Sequence, residues 1–395
     1  MSKYNFKSKV ERPESIKWAN MYKACPEAKE DVVPLSTADM EFMTAPEISQ
    51  GLQEYLDYAV LGYSQPTEEY WQAVANWMRE RHDFQVDPSW ITVVSGVVPA
   101  LYQAVKSFSA PGDGVVVMPP VYFPFYSAIE KSGRRIVNCP LQLQGDKYVM
   151  DLELLSELTS GTDNKLVLFC SPHNPVGRVW ELEELEALAE IAIRNELIIV
   201  SDEIHHDIIM PGYKHIVFQT LSEELAQRVI TCTAPTKTFN IAGLAVSNII
   251  IKNPELREKF SATLTNCGFH GSTILGYKAC ELAYAKCGDW LDELIQVFVE
   301  NEKLTRSFFA ERCPKVKIAP LEGTYLLWLD FNYLGMTEKE LSEFMIKEAN
   351  FITNDGYIFG EKGKGFIRIN LALPAETLKI QLERLYQAMI SKGLA

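Results

Sequence analysis

The chain has 395 residues, of which 47% are hydrophobic and 23% are charged, and its net charge is −14. This composition is typical of a globular protein with a large core, and the length suggests two or three domains. The acidic balance argues against nucleic acids and anionic membrane surfaces as partners. No apolar run is long enough to span a membrane, the N-terminus has no signal-peptide core, and the eight cysteines include no Cys-x-x-Cys pair. We therefore expect a cytoplasmic protein with reduced thiols.

From the N-terminus onward, an irregular segment gives way to alternating strands and helices. Residues 1–45 are punctuated by prolines and predict an N-terminal arm. Mostly apolar runs predict strands at 90–94, 114–118, 165–169 and 196–200, and amphipathic periodicity predicts helices at 100–108 and 181–195. Apolar strands separated by such helices favour an α/β fold, in which helices flank both faces of a mostly parallel sheet.

The pattern changes after about residue 285. A long helix is predicted at 290–312, and shorter strands and helices follow it. We therefore predict three parts, which are the arm at 1–45, a large α/β domain at 46–285 and a smaller α+β domain at 286–395. The helix at 290–312 would link the last two.

Lys237 is the first candidate for chemistry. It follows the β-rich run 228–232 and stands within Thr-Lys-Thr-Phe-Asn-Ile-Ala-Gly. A lysine at the end of a buried strand can form a Schiff base, because desolvation lowers its pKa and frees the amine. A lone lysine is more often a surface residue, so the segments upstream decide between these interpretations.

Those segments place polar side chains where the predicted strands end, which is the edge at which open parallel sheets bind ligands. Together they suit pyridoxal phosphate. Lys237 would hold the cofactor, and Asp202 would pair with the pyridine nitrogen and keep it protonated. Asn174 could donate to the phenolic oxygen of the ring, and Tyr122 could stack on its face.

The phosphate of the cofactor would lie at the start of the first predicted helix. Gly96 lets the backbone approach closely, and the free N–H groups from Val97 onward favour an anion. The hydroxyl of Thr236 could add another donor. We also expect His205 to pack near the cofactor ring, although a purely structural role is as plausible.

Three motifs carry a resemblance to a known family. They are Ser-Pro-His-Asn-Pro-Val-Gly-Arg-Val-Trp at 171–180, Ser-Asp-Glu-Ile-His at 201–205 and Ala-Pro-Thr-Lys-Thr-Phe-Asn-Ile-Ala-Gly-Leu at 234–244. The chain resembles the fold-type I pyridoxal-phosphate enzymes of the class I/II aminotransferase superfamily. It is most similar to the MalY/PatB group of cystathionine β-lyases, or C–S lyases, over nearly its whole length.

This resemblance implies further roles. Arg368 should bind the substrate α-carboxylate through a bidentate pair, and the backbone at Ala38 and Asp39 should lie near the substrate. Tyr325 either contributes to the substrate pocket or fills the core of the small domain. Tyr63 should reach the phosphate bound by the neighbouring subunit, so the active unit would be a homodimer.

The implied activity is β-elimination from an L-amino acid such as L-cystathionine, which gives a thiol, pyruvate and ammonia. An aminotransferase would use the same residues and stays open as an alternative. The aminotransferases often have an arginine eight residues after the lysine, where this chain has Ala245, and this favours the lyase group. The arm has Ser36 and Thr37 where the lyases often have Trp-Val, which would enlarge or polarise part of the substrate pocket. A regulatory protein that keeps the cofactor only as a scaffold is a third reading.

The cluster Glu203, His205, His206 and Asp207 could suggest a metal site. Adjacent residues of a strand point to opposite faces, so the two histidines should diverge. The sequence therefore predicts no metal site.

Overall fold

The computed structural model describes residues 3–10, 12, 14–269 and 271–395. Its strands are β1 (Ile91–Val94), β2 (Gly114–Val117), β3 (Arg135–Asn138), β4 (Gln142–Gln144), β5 (Lys147–Val149), β6 (Leu166–Cys170), β7 (Ile198–Asp202), β8 (Val229–Thr233), β9 (Ser247–Ile250), β10 (Lys317–Ile318), β11 (Leu326–Asp330), β12 (Asn354–Asp355) and β13 (Phe366–Asn370). Its α-helices are α1 (Ile16–Ala24), α2 (Pro46–Leu56), α3 (Glu68–His82), α4 (Val97–Phe108), α5 (Pro124–Glu130), α6 (Leu152–Leu158), α7 (Leu182–Arg194), α8 (Glu223–Ala226), α9 (Pro235–Thr238), α10 (Pro254–Asn266), α11 (Ile274–Lys286), α12 (Gly288–Arg312), α13 (Glu338–Glu343) and α14 (Ala375–Ser391). Within these ranges, no helix combines the length and the hydrophobicity that crossing a membrane requires.

Seven strands form the large sheet, in the order β1-β9-β8-β7-β6-β2-β3. Only β9 runs against its neighbours, and the other paired strands are parallel. Along β6, Leu166 and Leu168 pack with α4 and α5, whereas Val167 and Phe169 pack with α7 on the opposite face. This alternation buries both faces of the sheet under helices. The predicted α/β class with a mostly parallel sheet is confirmed.

A second sheet of four antiparallel strands, in the order β10-β11-β13-β12, lies toward the C-terminus. The N-terminal segment joins this sheet through its backbone, because Leu35 N–H donates to Ile352 O over 2.7 Å and Leu35 O accepts from Asn370 N–H over 2.8 Å. The division at 1–45, 46–285 and 286–395 stays a prediction, and these contacts attach the predicted arm to the predicted small domain.

The elements differ from their predicted forms in a few places. The sequence pattern does not predict β3 or β9. β3 is a partly exposed edge strand, and β9 begins with the polar Ser247 and Asn248, so neither is a continuous apolar run. α4 begins at Val97, ahead of the predicted residue 100. After α13 the chain continues as a π-helical turn at Phe344–Glu348.

Candidate active site

A cavity opens at the carboxyl edge of the large sheet. The parallel register sets Cys170 of β6 beside Asp202 of β7, and Asp202 beside Cys232 of β8. The residues that follow these strand ends therefore converge on one place. The cavity is lined by Ala38, Val97, Val98, Tyr122, Cys170, Asn174, Asp202, Ile204, His205 and Lys237.

Lys237 reaches this cavity from α9, a single helical turn that follows β8. The sequence pattern predicts it at a strand end, and the structure places it a few residues further along. Its Nζ donates to the carbonyl oxygen of Ala38 over 2.6 Å. Burial lowers the pKa of Lys237 to about 8, with Arg368 acting in the same direction and the carboxylates of Asp39 and Asp202 opposing it. A substantial fraction of the amine is thus neutral near physiological pH.

Asp202 ends β7, and its side chain is buried. The N–H of Ile204 donates to its Oδ1 over 3.2 Å, and no described Lys, Arg or His pairs with it at ion-pair distance. Burial raises the pKa of Asp202 to about 7 against the smaller opposing effects of this hydrogen bond and of the Lys237 charge. A buried carboxyl group of this kind is stabilised as a carboxylate when a cationic N–H is placed beside it.

The cavity walls combine an aromatic ring, an amide and an imidazole. Burial raises the pKa of Tyr122 to about 12, so its phenol is neutral. Asn174 is buried, and its backbone N–H donates to Cys170 Sγ over 3.4 Å. His205 meets the ring of Tyr325 edge-on at 5.9 Å between centroids, and its buried Nδ1 has no hydrogen-bond partner among the described residues. Burial lowers the pKa of His205, which keeps the ring neutral.

The N-terminus of α4 lies at the same cavity through Val97 and Val98. Gly96 precedes the helix with φ +111°, a backbone conformation that side chains rarely allow. No side chain caps the first turn, so its N–H groups are available to an anion. Thr236 is buried next to Lys237 on α9 and does not line the cavity.

Arg368 brings a positive charge from β13 of the small sheet. Its Nη1 donates to Asn174 Oδ1 over 2.8 Å, and its Nη2 donates to Asn354 Oδ1 over 2.7 Å. The side chain is buried, and no carboxylate among the described residues lies at ion-pair distance from it. Burial lowers the pKa of Arg368 to about 10, so the guanidinium remains charged. A buried cation held by neutral amides is suited to a carboxylate ligand.

The arm segment at the cavity is held by several polar contacts. Asn370 Nδ2 donates to the carbonyl oxygens of Thr37 and Asp39, each over 2.8 Å. Asp39 itself pairs with Arg12 over 2.7 Å. These contacts fix the carbonyl of Ala38 in front of Lys237.

Asn240 and Asn354 also hold the arm. Asn240 Oδ1 accepts from Met40 N–H over 3.1 Å, and Asn354 Oδ1 accepts from Thr37 N–H over 3.0 Å as well as from Arg368. Sequence reasoning assigned no role to either residue. Asn240 lies inside the quoted lysine motif, which was the available signal, whereas nothing in the sequence marks Asn354. The lining residues Val98, Cys170 and Ile204 were likewise assigned no role.

Six predicted site residues are not part of the cavity lining, namely Asp39, Tyr63, Gly96, Thr236, Tyr325 and Arg368. Tyr325 is fully buried and contacts both His205 and Phe298 through its ring, so it backs the wall of the cavity. Tyr63 is fully exposed, at 112% of the reference accessibility, and within a single chain the structure does not bring it to the cavity. The two histidines of the Glu203–Asp207 stretch do diverge, since His205 lines the cavity and His206 does not.

The residues present fit pyridoxal phosphate. The cavity offers an amine with a lowered pKa for its aldehyde and a buried, unpaired carboxyl group for its ring nitrogen. The uncapped N-terminus of α4 lies at the same cavity and can bind the phosphate. The buried Nδ1 of His205 has no hydrogen-bond partner among the described residues and can bond to a polar group of a ligand.

Comparisons with known proteins agree with this arrangement. The family model of class I and II aminotransferases matches residues 30–385. The chain is 41% identical over 387 residues to cystathionine beta-lyase PatB of Bacillus subtilis (strain 168), covering 98% of this chain and 100% of that protein. The crystal structure of cystalysin from Treponema denticola, which contains pyridoxal 5'-phosphate, is similar with a TM-score of 0.97 and 48% identity over 98% of this chain and 99% of that chain. A pyridoxal-phosphate-bound C–S lyase from Staphylococcus hominis gives a TM-score of 0.90 and 30% identity over 98% and 99% of the two chains. The resemblance inferred from the three motifs is confirmed.

Proposed function

This chain belongs to the family of class I and II aminotransferases, and from that premise we propose that it is a pyridoxal-phosphate-dependent carbon–sulfur β-lyase. The observation that carries the proposal is the shared cavity of Lys237 and Asp202, with the unpaired Arg368 hydrogen-bonded to its wall at Asn174. The similar proteins add the type of reaction, since they include a cystathionine beta-lyase and a C–S lyase.

The cofactor is pyridoxal 5'-phosphate, and when bound it supplies a ring that withdraws electrons from the substrate α-carbon. We assign Lys237 the covalent attachment of its aldehyde and Asp202 the pairing with its ring nitrogen. Tyr122 and His205 would enclose the ring, and Asn174 would donate to its phenolic oxygen. Gly96, Val97 and Thr236 would surround its phosphate.

Arg368 and Lys237 act on different parts of the substrate. Arg368 binds the α-carboxylate, which orients the Cα–H bond. Lys237, once released, accepts the α-proton at Nζ, and the carbonyl of Ala38 keeps this amine in position. The C–S bond at Cβ breaks, the thiolate leaves, and hydrolysis of the remaining enamine gives pyruvate and ammonia.

The substrate class follows from the arm as well as from the similar proteins. Ala38 lines the cavity, and Ser36 and Thr37 directly precede it in the arm. These small polar residues leave room for a bulky or polar substituent on sulfur. We propose L-cystathionine or a related cysteine S-conjugate as substrate.

The proposed active unit is a homodimer in the cytoplasm. Tyr63 lies in an exposed apolar stretch with Tyr58, Val60 and Leu61, which a second copy would cover. In such a dimer Tyr63 would reach the phosphate site of the partner subunit. The cytoplasmic location rests on the acidic, cysteine-containing sequence described above.

One experiment tests the proposal against its alternatives. The purified, cofactor-loaded protein is given L-cystathionine, and pyruvate and free thiol are measured with and without an added keto acid. Release of both products without the keto acid supports the lyase. Amine transfer that requires the keto acid would instead identify an aminotransferase, and inertness toward a panel of amino acids would favour a regulatory protein. The matched Lys237→Ala variant should release no pyruvate, and borohydride treatment should attach the cofactor to the wild-type chain alone.

A further inference from the structure

A buried cluster of three potential metal ligands lies outside the cofactor cavity. His82 ends α3, and His206 and Asp207 lie in the turn after β7. All three side chains are buried, and one potential ligand atom from each lies within 4.8 Å of the others. The cofactor cavity does not include any of them.

The tautomer of His206 leaves a lone pair directed into this cluster. His206 Nδ1 lies 2.7 Å from the backbone oxygen of Glu203, and because a carbonyl only accepts, Nδ1 must carry the proton. In the neutral ring, Nε2 is then a bare acceptor. It is buried, has no hydrogen-bond partner among the described residues, and lies 3.4 Å from Asp207 Oδ1. An imidazole whose second nitrogen donates to a backbone carbonyl is the usual arrangement around a metal-binding histidine.

Asp207 and His82 complete the arrangement. Asp207 Oδ1 lies 2.7 Å from His82 Nε2 and also accepts from Trp77 Nε1 over 2.9 Å, and its Oδ2 accepts from Thr238 Oγ1 over 2.7 Å. His206 Nε2 and Asp207 Oδ1 are both acceptors and lie 3.4 Å apart. This contact becomes favourable when a cation lies between the two atoms. Ligands of tetrahedral zinc are separated by about 3.3 Å. His206 Nε2 and Asp207 Oδ1 are already at this spacing, whereas His82 Nε2 and Asp207 Oδ1, at 2.7 Å, must move apart by about 0.6 Å.

Space and charge are also suitable. A cavity of about 180 Å³ is lined by His82, His206 and Asp207, which leaves room for a water molecule as a fourth ligand. The nearby cations Arg81 and Lys214 are paired with Asp292 and Asp83, so their charges are compensated. His215 lies beside the cluster and is already bonded to Glu203 Oε2 over 2.8 Å.

We propose that His82 Nε2, His206 Nε2 and an oxygen of Asp207 bind one zinc-type divalent cation, distinct from the cofactor site. Two imidazoles, one carboxylate and an open position form a ligand set that suits Zn²⁺. Binding displaces one proton from His82 Nε2 into solvent or onto Nδ1 of the same ring. The prediction of no metal site was based on the divergence of His205 and His206, and His82, which lies far away in sequence, played no part in it.

The test is calorimetric titration of Zn²⁺ into the untagged, chelator-treated holoenzyme, with the cofactor absorbance followed in parallel. We expect one Zn²⁺ per chain and an unchanged cofactor spectrum. His82→Gln keeps a donor to Asp207, and His206→Asn keeps a donor to Glu203 O, so each removes a ligand while preserving the hydrogen bond. Each variant should weaken Zn²⁺ binding by more than about tenfold, since loss of even an outer contact costs that much. Cys267→Ser, which removes an exposed thiol, should bind like the wild type.

X-ray absorption of the zinc-loaded wild type provides a measurement that does not depend on the variants. The proposal requires two imidazoles with oxygen ligands and no sulfur. Three results would each overturn the proposal and leave the cluster as a hydrogen-bonded network only. They are a wild-type dissociation constant weaker than about 1 mM, a zinc ligand shell that contains sulfur, and Zn²⁺ binding by both histidine variants that is as tight as in the wild type.

Discussion

Arg368 donates a hydrogen bond to Asn174 Oδ1 over 2.8 Å, and this contact joins the small sheet to the turn after β6 of the large sheet. The residue proposed to bind the substrate carboxylate is thus in direct contact with a residue proposed to bind the cofactor. Any movement of β13 relative to the large sheet would change both contacts together. The two sheets have to be aligned before the cavity can bind its substrate productively.

Arg368→Lys should raise KM for L-cystathionine by more than about tenfold, with a smaller effect on kcat. Lysine keeps the charge but cannot form the bidentate pair, so carboxylate binding is lost in the ground state and in the transition state alike. Steady-state kinetics measure both parameters. Arg384→Lys is the control, because Arg384 pairs with Asp31 outside the cavity, and its kinetics should match the wild type. An unchanged KM in the Arg368 variant would remove this residue from the carboxylate site.

Asp202→Asn should change how the stability of the cofactor-free protein depends on pH. The pKa of Asp202 is raised to about 7 when folded, against about 3.9 when unfolded. Its contribution to stability is therefore fully present below about pH 4 and is lost as pH rises through 7. Asparagine never ionises, so the variant should gain up to about 4 kcal/mol over the wild type between pH 4 and pH 8.

Urea unfolding of the two cofactor-free proteins at several pH values measures this difference. Asp146→Asn, at an exposed turn, should show no such trend. With the cofactor bound the sign reverses, because the carboxylate then has a cationic partner. The cofactor-loaded Asp202→Ala variant should lose several orders of magnitude in kcat/KM, and a loss below about tenfold, or 1.4 kcal/mol, would contradict the ring-nitrogen pairing.

The sequence points to Asp202 and Lys237 because both follow strongly apolar runs. Asp202 and Lys237 each lie just after such a run, and strand ends of a parallel sheet share one edge. Asn354 could not be found in this way, since it lies on a two-residue strand and reaches Arg368 only through the tertiary fold. His82 and Asp207 are in contact although they are 125 positions apart, and no local pattern encodes such a pair.

Tyr63 is predicted to contact the cofactor phosphate that is bound by the neighbouring subunit. A mixing experiment decides this point. Tyr63→Ala and Lys237→Ala are each expected to be nearly inactive alone. If Tyr63 acts across the interface, a mixed dimer has one site with both wild-type residues. Random exchange of equal amounts should then restore about a quarter of the wild-type sites, since half of the dimers are mixed and each has one complete site.

Pyruvate release before and after subunit exchange measures the recovery. The control pair is Tyr58→Ala with Lys237→Ala, because Tyr58 is also exposed but has no proposed role at the phosphate. Tyr58→Ala should be active alone, so mixing should only average the two activities. Absence of recovery with the Tyr63 pair, in dimers shown by mass to be mixed, would place Tyr63 outside the partner's site.

Glu41→Gln should destabilise the arm in front of the cavity. Lys17 Nζ lies 3.0 Å from Glu41 Oε1, with both side chains buried, and Trp18 Nε1 donates to Glu41 Oε2 over 3.0 Å. Lys17 and Glu41 therefore form a buried ion pair. Burial already lowers the pKa of Lys17, which also donates to the carbonyl of Asp39. Glutamine removes the counter-charge and has one oxygen in place of two, so either Lys17 or Trp18 then faces its NH2 group.

Breaking one partner of a buried pair costs about 3–5 kcal/mol, and we expect this loss in the free energy of unfolding of Glu41→Gln, measured by urea denaturation. Glu376→Gln is the matched control, because Glu376 pairs with Lys379 at the surface, and it should cost less than about 1 kcal/mol. Adding Lys17→Met to the Glu41 variant should recover most of the loss, since no buried charge then remains. Equal stabilities for Glu41→Gln and Glu376→Gln would show that the Lys17–Glu41 pair does not hold the arm in place.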